Sequence, residues 1–96
     1  MASELRLKLF IAGDSPRARE AAANLARAVD ALASGGARVE TVDVLEDPEA
    51  ADEYRILTTP TVVREAPAPR RRVTGDLGDT AQVLAALALF PSPPTT

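Results

Sequence analysis

The 96-residue chain contains no cysteine, no histidine and no tryptophan. Without cysteine there can be no disulfide, no dithiol redox couple, no zinc-thiolate centre and no cysteine nucleophile. Without histidine the commonest general base and the commonest transition-metal ligand are missing. Phe10, Tyr54 and Phe90 are the only aromatic residues. The core must therefore be built from small aliphatics, with few large anchors. No apolar run is long enough to span a bilayer. Met1-Ala2-Ser3-Glu4 leads into alternating charge, with no signal-peptide hydrophobic region. The net charge of −3 argues against non-specific nucleic-acid binding. One small cytoplasmic domain is expected, with no membrane segment.

What is present reads in order as strands and helices. Leu5, Leu7, Leu9 and Ile11 alternate with Arg6, Lys8 and Phe10, which predicts a strand. Ser15 followed by Pro16 starts a helix running to about Ala33, with Ala18, Ala21, Ala22, Leu25, Val29 and Leu32 as its apolar stripe and Gly35-Gly36 as its end. Arg38 to Leu45 reads as a second strand, parallel to the first through a βαβ crossover. Asp47-Pro48 opens a short acidic helix with Ala51, Tyr54 and Leu57 facing inward. Thr61 to Glu65 and Arg70 to Thr74 form a hairpin across Ala66-Pro67-Ala68-Pro69. Asp79 or Thr80 caps a last helix carrying Val83, Leu84, Leu87 and Phe90, which Pro91 stops.

Pro60 stands just before the third strand. It gives up a ladder donor and forces Thr59 into an extended conformation. A trans proline opening an edge strand and a cis Thr59-Pro60 bond both satisfy that pattern. The element order βαβ-α-ββ-α is the thioredoxin-like arrangement, a mixed sheet with helices on its faces. In that fold a cis proline precedes the third strand, which favours the cis bond here. Thioredoxins place their two cysteines at the start of the first helix. This chain has Asp14-Ser15-Pro16-Arg17 there, so dithiol chemistry is ruled out. The Gly13 turn lacks both GxGxxG spacing and a Walker lysine, which disfavours nucleotide binding.

Two charged stretches could meet a partner. Arg70-Arg71-Arg72 is the one dense basic run. It reads either as a hairpin edge guarded against aggregation or as a contact for an acidic partner. Nucleic acid is a poor fit, because aromatics for base stacking are scarce. Glu49, Asp52, Glu53 and Arg55 form the exposed face of the short helix, by default simply solvated. Nothing converges on those carboxylates to suggest a metal or an acid-base pair, so no cofactor is expected.

Four motifs carry a resemblance. L-K-L-F-I-A-G-D-S-P (residues 7–16), V-D-V-L-E-D-P (42–48), I-L-T-T-P-T (56–61) and R-R-V-T-G-D-L (71–77) occur in register. Together they closely resemble the KaiB family of the bacterial circadian clock. The similarity covers residues 5–90, a single domain between a lead (1–4) and a proline-rich tail read as disordered (91–96).

The resemblance implies a non-enzymatic regulator that binds the N-terminal ATPase ring of the KaiC hexamer. It also implies a fold-switching protein. A ground-state tetramer has the order βαββααβ. A rarer monomer has the thioredoxin-like order βαβαββα, and only that form binds KaiC. The resemblance carries partner contact onto Glu53 and Arg55 of the short helix and onto Arg71 and Arg72 of the basic run, but not onto Arg70.

Three residues are implicated in the switch. Pro60 marks the boundary between the constant and the convertible half. Ala86 and Ala88 stand where the family has glycine and aspartate, in a segment that is a strand in one form and a helix in the other. Alanine favours a helix interior over glycine by about 0.8–1 kcal/mol and is depleted in strands. The expectation is a chain resting mainly in the thioredoxin-like form. In clock systems the second strand contacts KaiA, and Glu40 replaces a lysine there; the reversed charge counts against a KaiA interaction. Alternative roles are a KaiB-like sensor domain of the type that begins clock histidine kinases, which the absence of a kinase in these 96 residues disfavours, and a stress-response adaptor.

Overall fold

Residues 5–32 and 37–89 are described in the computed structural model. They form β1 (Arg6–Ile11), α1 (Pro16–Asp30), β2 (Arg38–Asp43), α2 (Pro48–Tyr54), β3 (Thr61–Ala66), β4 (Arg71–Thr74) and α3 (Thr80–Ala86). The order matches the expected βαβαββα. The lead 1–4, Gly35-Gly36, Phe90 and the 91–96 tail lie outside the described residues.

The four strands make one sheet in the order β2-β1-β3-β4. β1 pairs with β2 in parallel, as a crossover through α1 requires, and with β3 antiparallel. Alternation along β1 divides the core in two. Leu7 and Leu9 point to the side of α1 and α3, where they meet Ala21, Leu25, Ala28, Val62, Val83 and Leu87. Phe10 points to the side of α2 and packs with Val42, Tyr54 and Val63.

Each helix start follows from its cap. Ser15, Asp47 and Asp79 accept from the amides of Ala18, Ala50 and Gln82 through their side chains. Pro60 precedes a central strand, not an edge strand, and the Thr59-Pro60 bond is cis, as are Ala66-Pro67 and Ala68-Pro69.

Several boundaries differ from the sequence reading. α1 ends at Asp30, short of Ala33. Ala31 and Leu32 bond back three residues to Ala28 and Val29, which tightens the last turn and closes the helix. Within its stripe Ala22 is exposed, and Asn24 is buried instead, because its amide donates to the Asp76 carbonyl at 2.7 Å. β2 stops at Asp43, not at Leu45. Asp43 Oδ1 accepts from the amides of Leu45 and Gly13, both at 2.9 Å, and this Asx turn diverts the chain. Leu45 is left exposed.

Leu57 also faces solvent, at 94% exposure. Arg55 adopts a left-handed conformation that turns the chain, and Ile56 takes the inward place. Ala86 is the last residue of α3. Ala88 lies beyond the helix at φ 55°, so helix propensity does not act on it. A left-handed alanine costs about 1–2 kcal/mol, and aspartate or asparagine tolerates the position better. Contrary to expectation, Ala88 therefore does not favour α3 through helix propensity.

Candidate partner-binding face

The α2 side of the sheet is organised by Tyr54. It is the one buried residue of that seven-residue helix. Its ring lies 5.2 Å from the Phe10 ring, tilted at 47°. Its hydroxyl donates to Glu65 Oε1 at 2.7 Å, and Lys8 Nζ stands 3.4 Å from Glu65 Oε2. Two cations attend the ring: Lys8 Nζ at 4.9 Å and Arg70 Cζ at 4.5 Å from its centroid.

The charges of this cluster are mutually tuned. Burial pushes the Tyr54 phenol up, and its bond to Glu65 adds to that. The same bond, with the Lys8 charge and against burial, holds the Glu65 carboxyl below its ordinary value. Burial works against a charged Lys8, but the Tyr54 hydroxyl and the Glu65 carboxylate outweigh it and raise its pKa.

Strand alternation splits the basic run. Arg72 stands opposite Val63, on the α2 side. Its guanidinium donates to the carbonyl of Tyr54 at 2.6 Å and to that of Arg55 at 3.1 Å. Both oxygens belong to the last turn of α2, where the helix dipole is negative. Arg70 reaches the same helix through the Tyr54 ring. Arg71 stands opposite Arg64 and is turned to the other face.

Glu53, Arg55 and Arg72 therefore converge at the end of α2, and Arg71 lies apart from them. Glu53, Arg55 and Arg71 are exposed, and their side chains make no hydrogen bond or ion pair with a described residue. Sequence reasoning missed Arg70, Lys8 and Glu65 as a group. The available signal was parity: Lys8 shares a face with Phe10, and Glu65 shares one with Val63.

The residues assigned to the switch are dispersed. Pro60 is buried and lines a cavity of about 240 Å³ with Ile11, Ser15, Arg17 and Thr59. That cavity adjoins the turn where a thioredoxin would carry its cysteines, and no thiol is present. Ala86 ends α3, and Ala88 lies two residues beyond it. There Arg64, 7% exposed, donates to the carbonyls of Pro69 at 2.9 Å and Ala88 at 3.5 Å, while its Nε has no partner. Among the described residues no group of His, Cys, Asp or Glu could hold a metal ion, and no helix is long and apolar enough to cross a membrane.

Fold and face together define a thioredoxin-like domain without a dithiol, presenting a short charged helix. Similar architectures are not confined to redox proteins. The N-terminal domain of Synechococcus elongatus SasA superposes with a TM-score of 0.76 at 25% identity, covering 92% of this chain and 87% of that one. Mitochondrial thioredoxin 3 of Saccharomyces cerevisiae gives 0.69 at 17% identity, covering 90% and 78%, a likeness of fold alone.

The KaiB domain model matches residues 8–89. The chain is 39% identical over 85 residues to circadian clock protein KaiB3 of Synechocystis, covering 88% of this chain and 83% of that protein. It is equally 39% identical over 84 residues to the circadian clock oscillator protein KaiB of Synechococcus elongatus, covering 88% and 82%. The chain belongs to the KaiB family.

Proposed function

We propose that this protein is a non-enzymatic timing regulator that binds the N-terminal ATPase ring of a KaiC-type hexamer and modulates its activity or phosphorylation state. One observation carries the reading. A KaiB-family chain is found here in the thioredoxin-like arrangement, the form to which the resemblance ties ring binding. The exposed end of α2, with Glu53 and Arg55, supplies a contact face, and Arg71 supplies a second, separate cation. Neither nucleic acid nor membrane is a partner, and Glu40 counts against KaiA.

The protein acts as a monomer in this form. A dimer or tetramer belongs to the βαββααβ alternative. Pro60 bounds the segment that would convert. Ala86 biases it toward α3 by up to about 1 kcal/mol, the cost of glycine relative to alanine inside a helix. Near balance, about 1.4 kcal/mol changes a two-state ratio tenfold.

The test is co-elution with a KaiC hexamer in ATP on size-exclusion chromatography. Failure to bind any KaiC homologue of the same organism overturns the reading. The likeness to the SasA domain supports a second reading, a sensor domain of that type. The higher identity to KaiB proteins, 39% against 25%, favours the first.

A further inference from the structure

Arg72 was expected to touch the partner, yet its guanidinium is already occupied. It spends two donors on the Tyr54 and Arg55 carbonyls, the shorter at 2.6 Å. A planar guanidinium suits this task, because two of its donors can meet adjacent carbonyls at once. The turn it holds ends a short helix. α2 has seven residues and buries only Tyr54. Isolated helices of this length are unstable, so tertiary contacts must hold it. Beyond Tyr54 the chain turns through Arg55 at φ 53°, a left-handed conformation unusual for a non-glycine residue. The Arg55 amide bonds to Asp52 and the Ile56 amide to Ala51, which closes the turn.

We propose that Arg72 is a positioning residue: its guanidinium locks the C-terminal turn of α2 and so sets the direction in which Arg55 and Glu53 meet the partner. The partner senses Arg72 through that turn, whereas Arg71, on the opposite face of β4, acts through its own exposed charge. The second half of this statement rests on the KaiC-ring reading; the first half stands without it.

The experiment compares Arg72→Ala, Arg72→Lys and Arg71→Ala in the full chain. Amide hydrogen exchange is read in the free protein, and affinity for a KaiC ring is read in ATP. Arg72→Ala speeds exchange at the Arg55 and Ile56 amides by roughly three- to tenfold, the range for losing the net worth of one hydrogen bond, while β1 amides keep their protection. Arg72→Lys retains the charge but not the paired donors, and rescues exchange only in part. It also serves if the alanine variant does not fold. Arg71→Ala lowers ring affinity with no change at those amides.

In an Arg55→Ala, Glu53→Ala background, the affinity loss from Arg72→Ala shrinks toward none, because the groups it positions are gone. Unchanged exchange at Arg55 and Ile56 in Arg72→Ala overturns the proposal. An undiminished affinity loss in the double-alanine background overturns the indirect route and makes Arg72 a direct contact. If the wild-type chain binds no KaiC ring, the functional reading fails, and exchange alone still decides whether Arg72 holds the turn.

Discussion

The Tyr54 hydroxyl donates to Glu65 Oε1 at 2.7 Å, joining the only buried side chain of α2 to the central strand β3. This bond holds the Glu65 carboxyl low, with Lys8 adding to the effect. A carboxyl with a depressed folded-state pKa contributes stability that is present above its unfolded value and is lost as pH falls through the folded value. Tyr54 and Lys8 are raised, so their contributions are present below their unfolded values and are lost as pH rises through the folded ones. Glu65→Gln is expected to cost about 1–2 kcal/mol at neutral pH and to flatten the acid limb of a stability-versus-pH curve. Urea unfolding from pH 3 to 7 checks it. An acid limb as steep in the variant as in the wild type defeats the assignment.

The two alanines at the end of α3 respond differently to glycine. Ala86 is the last helical residue, and Ala88 sits past the cap at φ 55°. Ala86→Gly is expected to weaken the thioredoxin-like form by up to about 1 kcal/mol. Ala88→Gly is expected to strengthen it by a similar amount, because glycine carries no penalty in the left-handed region. Backbone chemical shifts over residues 80–86 report the helical population. Opposite movements in the two variants are the expected result, and matched losses would contradict it.

Much of this was legible in the sequence, for identifiable reasons. The alternation of Leu7 and Leu9 with Lys8 and Phe10 assigned both faces of β1, and the structure uses both. Ser15-Pro16 and Asp47-Pro48 located two helix starts through local chemistry. The failures were non-local or conformational. Asn24 looks like surface until Asp76, 52 positions away, is brought to its amide. Arg64 reaches Ala88, 24 positions away, by the same kind of closure. Leu45 and Leu57 have the right spacing for a core, but an Asx turn and a left-handed residue redirect the chain just before each of them. The Arg70–Arg72 run was visible as charge. Its division into two faces depends on the register of β4 against β3.

Leu57 offers a clean separation of binding from folding. At 94% exposure it has almost no packing to lose. Leu57→Ser is expected to change stability by no more than about 0.5 kcal/mol. Ile56→Ala, one residue earlier and packed against the Tyr54 cluster, is expected to cost about 1–3 kcal/mol. Thermal unfolding of the pair checks the contrast. A lower affinity of the Leu57 variant for a KaiC ring, with its unfolding curve unchanged, places that side chain on the contact face.

Asn24 connects α1 in the first half of the chain to the loop that precedes α3 in the second half. Its amide donates to the Asp76 carbonyl, and its carbonyl oxygen accepts from Arg27. The loop it holds contains Leu77, buried although its φ is 64°, and Gly75 at φ 114°. A segment with two left-handed residues needs external contacts to keep its shape. Asn24→Ala leaves the Asp76 carbonyl without this donor and is expected to cost about 1–3 kcal/mol. The loss should be uneven. α1 and β1 remain held by their own packing, while the loop and α3 lose the hydrogen bond that anchors their start. Amide exchange should therefore accelerate more across residues 77–87 than across β1. Equal acceleration in both regions would mean that Asn24 supports the domain as a whole and does not serve as the link between its halves.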